Sequence, residues 1–238
     1  INALKDAGEE AEGSTAYITL EPCSQHGKTP PCFESLIKAG IKKVIASIKD
    51  PSQKLSGKGL ESMQAAGIEV QYGLLSSAAE EVNRGFLMRV TKHRPFVQLK
   101  LAISLDGAMS MKNGESQWIT GSSARKDVQR LRARSGAIMT GIGTLIRDNP
   151  SLNVREKTIK TNGIQPIRVI LDSDLRIPVN ASMLKLSGET LVCHAGKKDS
   201  QHLAGLNLEV KSFNSRDGFI DVIEVFSELA KRGVNNLL

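Results

Sequence analysis

The sequence predicts an α/β protein made of two domains, each built on a parallel sheet. Short runs of β-branched and apolar residues alternate with helical segments that end at glycines, and this alternation is typical of parallel strands joined by helices. The pattern changes at His93-Arg94-Pro95, where a proline separates a long amphipathic helix from a new strand. A length of 238 residues suits two domains. We therefore expect domains at residues 1–93 and 94–238.

The first domain is predicted to begin with a helix and then to alternate strands with helices. Ala3, Leu4 and Ala7 form an apolar helical face, and the helix gives way to a small-residue loop at Gly13. A strand at 16–20 leads into a polar, proline-rich loop at 21–31. The remaining predicted elements are a helix at 32–39, a strand at 41–48, a helix at 59–66, a strand at 68–72 and a helix at 76–90.

The second domain opens with a strong strand pattern at 96–104. Val97, Leu99, Leu101 and Ile103 share one face there, and the apolar neighbours of Lys100 suggest that this lysine is buried and needs an anionic partner. Because the chain begins within a helix and ends at the start of an apolar strand, we expect both domains to be truncated. The other predicted elements are a helix at 122–134, a strand at 137–140, a short helix from Thr144, strands at 167–171 and 190–193, and a helix at 220–231.

Composition and charge exclude several classes of protein. No apolar run is long enough to span a bilayer, and the first residues do not form a secretion signal. Three cysteines suggest a reducing compartment, so we predict a cytoplasmic protein. The net charge of +7 is dispersed, and aromatic residues make up only 4%, which leaves little surface for stacking bases. We predict neither a nucleic-acid nor a membrane partner, and we attribute the charge to small phosphorylated ligands.

The run EPCSQHGKTPPC at 21–32 is the most informative segment of the first domain. It places Cys23 after a strand and Cys32 at the start of a helix, whose dipole favours a thiolate. Zinc held by both sulfurs would need one further protein ligand and a water. The alternatives are a disulfide, two unrelated buried thiols, or His26 as the third ligand. The context favours zinc, and we interpret His93, His194 and His202 as linker or surface residues.

Four motifs in the second domain suggest a ligand cleft. The run LKLAISLDG at 99–107 enters a tight turn, and GESQWIT at 114–120 holds the single tryptophan. TGIGT at 140–144 offers backbone N–H groups to an anion, and DNPSLNVR at 148–155 follows. The helix at 122–134 presents Arg125, Gln129 and Arg132 on one face. Taken alone, TGIGT is not a dinucleotide fingerprint and is also compatible with a plain turn, and Trp118 is also compatible with a core position.

In order and spacing, these motifs resemble the bifunctional deaminase–reductase family of riboflavin biosynthesis. TLEPCSQHGKTPPC is similar to the zinc loop of its pyrimidine deaminase domain, which is related to the cytidine deaminases, although eight residues rather than two separate the cysteines. The later motifs resemble its reductase domain. The resemblance therefore implies a cytidine-deaminase-like α/β/α domain, truncated at its start, and a dihydrofolate-reductase-like α/β domain, truncated at its end.

The resemblance also implies ligands, residue by residue. Cys23 and Cys32 would hold Zn²⁺, while the family's His-Ala-Glu motif, with the third ligand and the catalytic glutamate, would lie upstream of Ile1. The family's later glycine-rich NADPH segment and its substrate glutamate would follow the strand that begins at Val234. Lys100 and Asp106 are weaker candidates in the same cleft. The contacts to NADPH are assigned to Ala102, Trp118, Thr144, Asp148 and Ser173. The contacts to a phosphorylated pyrimidine are assigned to Lys28, Ser116, Arg132, Leu152 and Arg155.

The implied activity has two steps. The first is zinc-dependent hydrolytic deamination of 2,5-diamino-6-ribosylamino-4(3H)-pyrimidinone 5′-phosphate, and the second is hydride transfer from NADPH that converts the ribosyl group to ribityl phosphate. The family suggests a homo-oligomer, either a dimer or a tetramer. Two alternatives stay open at this point. One is a nucleic-acid deaminase with an unrelated second domain, and the other is a reductase-only protein or a non-catalytic remnant without His-Ala-Glu.

Overall fold

Two units, Ile1–Lys92 and His93–Leu238, make up the computed structural model, which describes residues 1–26, 30–52, 56–115 and 118–238. The division falls one residue before the expected one. Each unit contains a parallel sheet accompanied by helices, as the alternation of strand and helix patterns predicts. Among the described residues, no helix combines the length and the apolar character needed to cross a membrane.

The first unit is a three-stranded parallel sheet in the order β1-β2-β3. Thr15 lies opposite Lys43, and Lys43 lies opposite Glu69. Fully buried Val44 and Met63 belong to its core, which also receives apolar side chains from the helices. The elements are α1 (Asn2–Ala7), a 3-10 turn (Gly8–Ala11), β1 (Thr15–Ile18), α2 (Cys32–Lys38), β2 (Lys43–Ala46), α3 (Lys58–Ala65), β3 (Glu69–Tyr72) and α4 (Ser76–Lys92).

The second unit contains a six-stranded sheet in the order β4-β11-β5-β6-β7-β8, in which every pair of neighbours is parallel. A short antiparallel ribbon, β9-β10, lies outside this sheet. The elements are β4 (Phe96–Val97), α5 (Ser122–Ala133), β5 (Ala137–Gly141), α6 (Ile142–Asp148), β6 (Ile167–Leu171), β7 (Thr190–Ala195), β8 (Glu209–Phe213), β9 (Ser215–Arg216), β10 (Phe219–Ile220), α7 (Val222–Lys231) and β11 (Asn236–Leu237), with 3-10 turns at Ser182–Lys185 and Gln201–Leu203.

The central strands of this sheet supply two separate cores. Ile170 and Val192 pack into one cluster, with α6 and the turn at Ser182–Lys185. Val169 and Leu191, their neighbours in sequence, pack into the other cluster, with α7. Successive side chains of a strand point to opposite faces, so the sheet is covered on both sides. This explains why apolar residues occupy both faces of β6 and of β7.

The prediction of a strand at 96–104 is wrong beyond Val97. Its last bond to β11 runs from the Gln98 N–H to the Leu237 carbonyl at 2.8 Å. Past that point Leu99 and Leu101 are exposed, and so is Lys100, which we expected to be buried. An alternating pattern determines which side chains share a face. It does not supply the neighbouring strand, whose hydrogen bonds hold a strand in place.

The sequence-based element assignment misses β8, and this affects the interpretation of His194. β8 pairs with β7 along its whole length, with His194 opposite Ser212. Because β7 therefore lies inside the sheet, His194 is only 6% exposed, and its interpretation as a linker or surface residue is wrong. The alternation of Leu206, Leu208 and Val210 was a usable signal for this strand.

Candidate functional sites

β1 and α2 bring two thiols together in the first unit. Cys23 follows β1, Cys32 is the first residue of α2, and the backbone N–H of Cys32 donates to Cys23 Sγ at 3.1 Å. Both thiols are free and half-buried. Burial, followed by the hydrogen bond with Cys23, raises the pKa of the Cys32 thiol. Two adjacent thiols are half of a tetrahedral zinc site.

A third metal ligand does not join these thiols within the part of the chain that the structure describes. No group of three His, Cys, Asp or Glu side chains there could hold a metal ion. His26 is exposed, so the structure gives no support to this histidine as the third ligand. Lys28, the predicted phosphate contact, lies outside the described residues.

A cavity of about 550 Å³ opens beside the two cysteines. Its walls come mainly from α1 and β1, and they include the apolar side chains of Leu4, Ala16 and Ile18. Most of the lining is apolar, and the two sulfurs are among its polar atoms. Such a composition suits a flat heterocyclic ring whose position is set by a few polar contacts.

The second unit contains a cavity of about 560 Å³ between α5, α6 and the loop at 149–155. Seven of the residues predicted to contact a ligand line it. These are Ala102, Trp118, Arg132, Thr144, Asp148, Leu152 and Arg155. Ser173 lies outside the cavity, two residues after the end of β6, and Ser116 is outside the described residues. Lys100 lines the cavity, whereas Asp106 sits on an exposed turn and accepts a hydrogen bond from Ser104 that lowers the pKa of its carboxyl.

The walls of this cavity are strongly cationic. Its described lining includes four cationic side chains, Lys100, Arg125, Arg132 and Arg155, and one carboxylate, Asp148. Burial, and then the nearby charge of Arg155, lowers the pKa of Arg132. Two arginines held close together without an acid between them are typical of a site for a phosphate or carboxylate.

Arg132 is incompletely hydrogen-bonded. Its Nη1 donates to the Asn153 carbonyl at 2.9 Å, whereas its buried Nε has no partner among the described residues. A buried, unsatisfied donor usually marks a place where a water or a ligand completes the network. Arg125, which also lines the cavity, holds its guanidinium 4.4 Å from the centroid of the Trp118 ring, a cation–π contact that orients both groups.

The loop at 149–155 is held by three side-chain amides. Gln129 Oε1 accepts from the Arg155 N–H at 2.9 Å, Gln165 Oε1 accepts from the Val154 N–H at 2.8 Å, and Asn149 Oδ1 accepts from the Ser182 N–H at 2.8 Å. The sequence pattern places Gln129 on a polar helix face, whereas its side chain is buried. The periodicity of the helix does not predict this burial, because the hydrogen-bond partner of Gln129 is a backbone group of a distant segment.

Leu152 has an unusual backbone conformation for its residue type. Its φ is 43°, in the left-handed region, yet its side chain is buried in the core with Ile138 and Ile170. Burial of the side chain stabilises a conformation that a leucine rarely adopts. The position predicted to contact the substrate is therefore held rigidly by the core beneath it.

Protein-family models match both units. Residues 95–238 match the RibD C-terminal domain, and residues 1–48 match the cytidine and deoxycytidylate deaminase zinc-binding region. The first match covers more than half of the chain. The predicted combination of a cytidine-deaminase-like domain with a reductase domain of the riboflavin family is confirmed.

Relatives match over most of the chain. Riboflavin biosynthesis protein RibD of Escherichia coli is 42% identical over 246 residues, covering 100% of this chain and 66% of that protein. RibD of Haemophilus influenzae is 53% identical over 184 residues, covering 74% and 50%. The structure of Acinetobacter baumannii RibD has a TM-score of 0.87 at 42% identity, covering 99% and 65%, and a Thermotoga maritima deaminase/reductase has 0.77 at 32%, covering 99% and 64%. The chain thus spans less than two thirds of the length of these relatives.

Proposed function

The chain belongs to the RibD family, and from that premise we propose that it is a bifunctional enzyme of riboflavin biosynthesis. The first unit deaminates 2,5-diamino-6-ribosylamino-4(3H)-pyrimidinone 5′-phosphate by zinc-dependent hydrolysis. The second unit reduces the ribosyl group of the deaminated product to ribityl phosphate with NADPH. The matches to a deaminase zinc-binding region and to a RibD C-terminal domain support two activities over a reductase-only protein.

The single observation that carries the reductase assignment is the cationic cavity of the second unit. Arg132 and Arg155 lie together there, and the buried Nε of Arg132 has no partner among the described residues. An anion with several oxygens would satisfy that donor and offset the repulsion between the two guanidinium groups. The ribose phosphate of the substrate has this chemistry, and the planar fork of arginine matches its oxygens.

The rest of the cavity fits the cofactor. NADPH, when bound, supplies the hydride that is transferred to C1′ of the sugar. Trp118, Thr144 and Asp148 line the cavity and would hold it, together with Ala102, while Leu152 and Arg155 hold the sugar phosphate. The residues of this chain orient the two reactants and exclude water, which lowers the entropic part of the barrier. Ser173, outside the cavity, stays a predicted cofactor contact.

The two thiols of the first unit fit a zinc ion. Cys23 and Cys32 would hold it, and it would supply the Lewis acidity that activates water near neutral pH. The family pattern assigns the third ligand and the proton carrier to a His-Ala-Glu motif, which does not occur in this sequence. The apolar cavity beside the cysteines would receive the pyrimidine ring and exclude bulk water from it.

Mass spectrometry of the reaction products tests both activities. The product of the complete gene is purified and incubated with the aminopyrimidine ribosyl phosphate and NADPH, and in a parallel reaction with the deaminated intermediate and NADPH. We expect a deaminated and reduced product from the first mixture and a reduced product from the second. Reduction in the second mixture alone would remove the deaminase assignment, and no turnover in either would remove the proposed function.

We further propose that the enzyme acts in the cytoplasm, as a homo-oligomer, on a small molecule. Its three cysteines are free, which suits a reducing compartment. Light scattering of the purified protein gives the oligomeric state, and a monomeric mass at assay concentration would contradict this part of the proposal.

A further inference from the structure

We propose that Glu21 is a positioning residue for the zinc site. Its carboxylate clamps the Glu21-Pro22-Cys23 turn against the beginning of α3 and so aims the Cys23 thiol at Cys32. The inference rests on the proposed zinc chemistry of the first unit. It concerns a residue that is not itself a ligand of the metal.

Glu21 is buried, and its two carboxylate oxygens accept four backbone N–H groups. Oε2 accepts from Asp50 at 2.9 Å and from Gly57 at 2.8 Å. Oε1 accepts from Gly59 at 2.9 Å and from Leu60 at 3.4 Å. Only 4% of the residue is exposed. A buried carboxylate destabilises the fold unless such donors form hydrogen bonds with it. The four bonds therefore indicate that Glu21 fixes the position of the backbone segments that donate them.

These donors come from the segment that leads into α3. Gly57 is the N-cap of that helix, while Gly59 and Leu60 lie in its first turn, where backbone N–H groups lack partners within the helix. The negative charge of Glu21 also interacts favourably with the helix dipole. The side chain therefore links the end of the β1 segment to α3 over 38 residues of sequence.

Gly59 contributes to the same clamp from the opposite direction. A Cβ at this position would lie 2.2 Å from the Pro22 carbonyl oxygen, much closer than any real side chain can approach. The start of α3 therefore rests directly on the peptide that precedes Cys23. The turn is held by the Glu21 side chain and by close packing of its own backbone.

The same bonds exclude a role for Glu21 as a metal ligand. With both oxygens occupied by backbone donors, the carboxylate is not available to coordinate a metal ion. Glu21 therefore affects the zinc site only through the position of Cys23, whose sulfur accepts a hydrogen bond from the backbone N–H of Cys32 at 3.1 Å.

Metal affinity and the cobalt spectrum test this role. Zinc affinity of the full protein is measured by competition with a chromophoric chelator, and the thiolate–cobalt absorption is recorded after substitution with Co²⁺. For Glu21→Ala we expect zinc affinity to fall about 10–100-fold, the range found when partners of metal ligands are removed. We also expect a weaker and shifted thiolate–cobalt band. Glu21→Gln keeps one acceptor oxygen and should recover part of both properties.

Val44→Ala is the matched control. Val44 is fully buried in the same unit, so its truncation destabilises the fold without touching the turn. We expect the zinc affinity and the cobalt band of this variant to match the wild type. If Glu21→Ala also leaves both unchanged, or if Val44→Ala alters them as much, the positioning role is wrong.

Gly59→Ala provides a second, independent probe. Alanine has a higher helix propensity than glycine. If Gly59 did not lie against Pro22, the substitution would therefore stabilise α3. We expect it to shift the cobalt band in the same direction as Glu21→Ala, and an unchanged band would contradict the clamp. A wild-type protein that binds neither zinc nor cobalt would overturn the proposed zinc chemistry itself, which separates failure of that proposal from failure of this one.

Discussion

Two arginines of the second unit, one buried and one half-buried, have opposite surroundings. Arg168, on β6, is 1% exposed and donates to Thr190 Oγ1 and to the carbonyls of Leu186, Ser187 and Gly188. Arg132, on α5, donates one bond to a carbonyl and retains a buried Nε without a partner among the described residues. Neither guanidinium is paired with a carboxylate in the described ion pairs.

The difference separates a structural cation from one that is available for a ligand. Arg168 replaces its lost hydration with fixed carbonyl dipoles, so it stabilises the loop that enters β7 and has little capacity left for another group. Arg132 lacks that compensation and lies beside the positive charge of Arg155. A bound anion would accept a hydrogen bond from Arg132 Nε and would offset the repulsion between Arg132 and Arg155. The predictions below test that contrast, from the largest expected effect to the smallest.

Substitution of Arg168 should affect stability most. Arg168→Met leaves three carbonyls and the Thr190 hydroxyl without their donor, and we expect a loss of about 3–5 kcal/mol in the free energy of unfolding. Urea denaturation of the variant measures this loss. Arg176→Met, at an exposed position in the loop after β6, is the control and should change stability by less than about 0.5 kcal/mol. A loss below 1 kcal/mol for Arg168→Met would contradict the structural role.

Substitution of Arg132 should affect binding more than stability. Arg132→Met removes a charge-assisted contact, and we expect affinity for the phosphorylated substrate to fall about 10–100-fold. Stability should change by no more than about 1 kcal/mol, because the guanidinium is poorly compensated in the free protein. Calorimetric titration with the deaminated intermediate measures the affinity. The exposed Arg134, which caps the C-terminal end of α5, provides the control Arg134→Met, and equal losses in both variants would show that only overall charge matters.

Substitution of Gln129 tests whether the loop at 149–155 must be held in place. Gln129→Leu keeps the volume but leaves the Arg155 N–H without its acceptor, which should cost about 1–2 kcal/mol of stability. We also expect a higher KM for the phosphorylated substrate with a smaller change in kcat, because Arg155 would be misplaced. Steady-state kinetics of the reductase step separate the two constants. Lys126→Ala, on an exposed part of the same helix, should leave both unchanged.

The ion pairs between β8 and α7 should have the smallest effect. The bond from Arg232 lowers the pKa of Glu209, and the bond from Lys211, followed by that from Arg232, lowers the pKa of Glu228, in both cases from an ordinary value of 4.5. Because both folded-state pKa values are depressed, the stabilisation is present above pH 4.5 and is lost as the pH falls through the folded-state values. These pairs are half-buried and partly screened by solvent, so Arg232→Met should cost only about 0.5–1 kcal/mol at neutral pH.

Urea denaturation at neutral and at acid pH checks this prediction. The difference between Arg232→Met and the wild type should shrink as the pH is lowered, because the protonated carboxyl groups no longer attract the guanidinium. A difference that stays constant across this range would mean that Arg232 stabilises the unit by packing of its aliphatic part.

Local pattern was enough to predict most elements and both candidate sites. β6 at Ile167–Leu171 is apolar except for Arg168, and it was predicted with the same bounds because a mainly apolar, β-branched composition is typical of a buried parallel strand. The motifs at 21–32, 114–120, 140–144 and 148–155 were found because their residue types are chemically distinctive. The resemblance then assigned seven residues that line one cavity, although Ser173 lies outside it.

Contacts between distant segments could not be predicted in this way. The strand expected at 96–104 stops at Val97 because a strand exists only where a neighbour supplies hydrogen bonds. His194 is buried because β8, far along the chain, covers the edge of β7. Glu21, Gln129 and Arg168 are anchors whose partners are backbone groups, and a backbone N–H or carbonyl leaves no trace in a sequence.

The sequence by itself therefore determined most of the strands and helices, the two sets of chemical groups and the family. These depend on residue type and on spacing within a few positions. Only the tertiary structure decided which polar groups have hydrogen-bond partners within the protein and which are left to bind a ligand. That property depends on the burial and the hydrogen bonds of each group, and it distinguishes Arg132 from Arg168 and makes Glu21 an anchor.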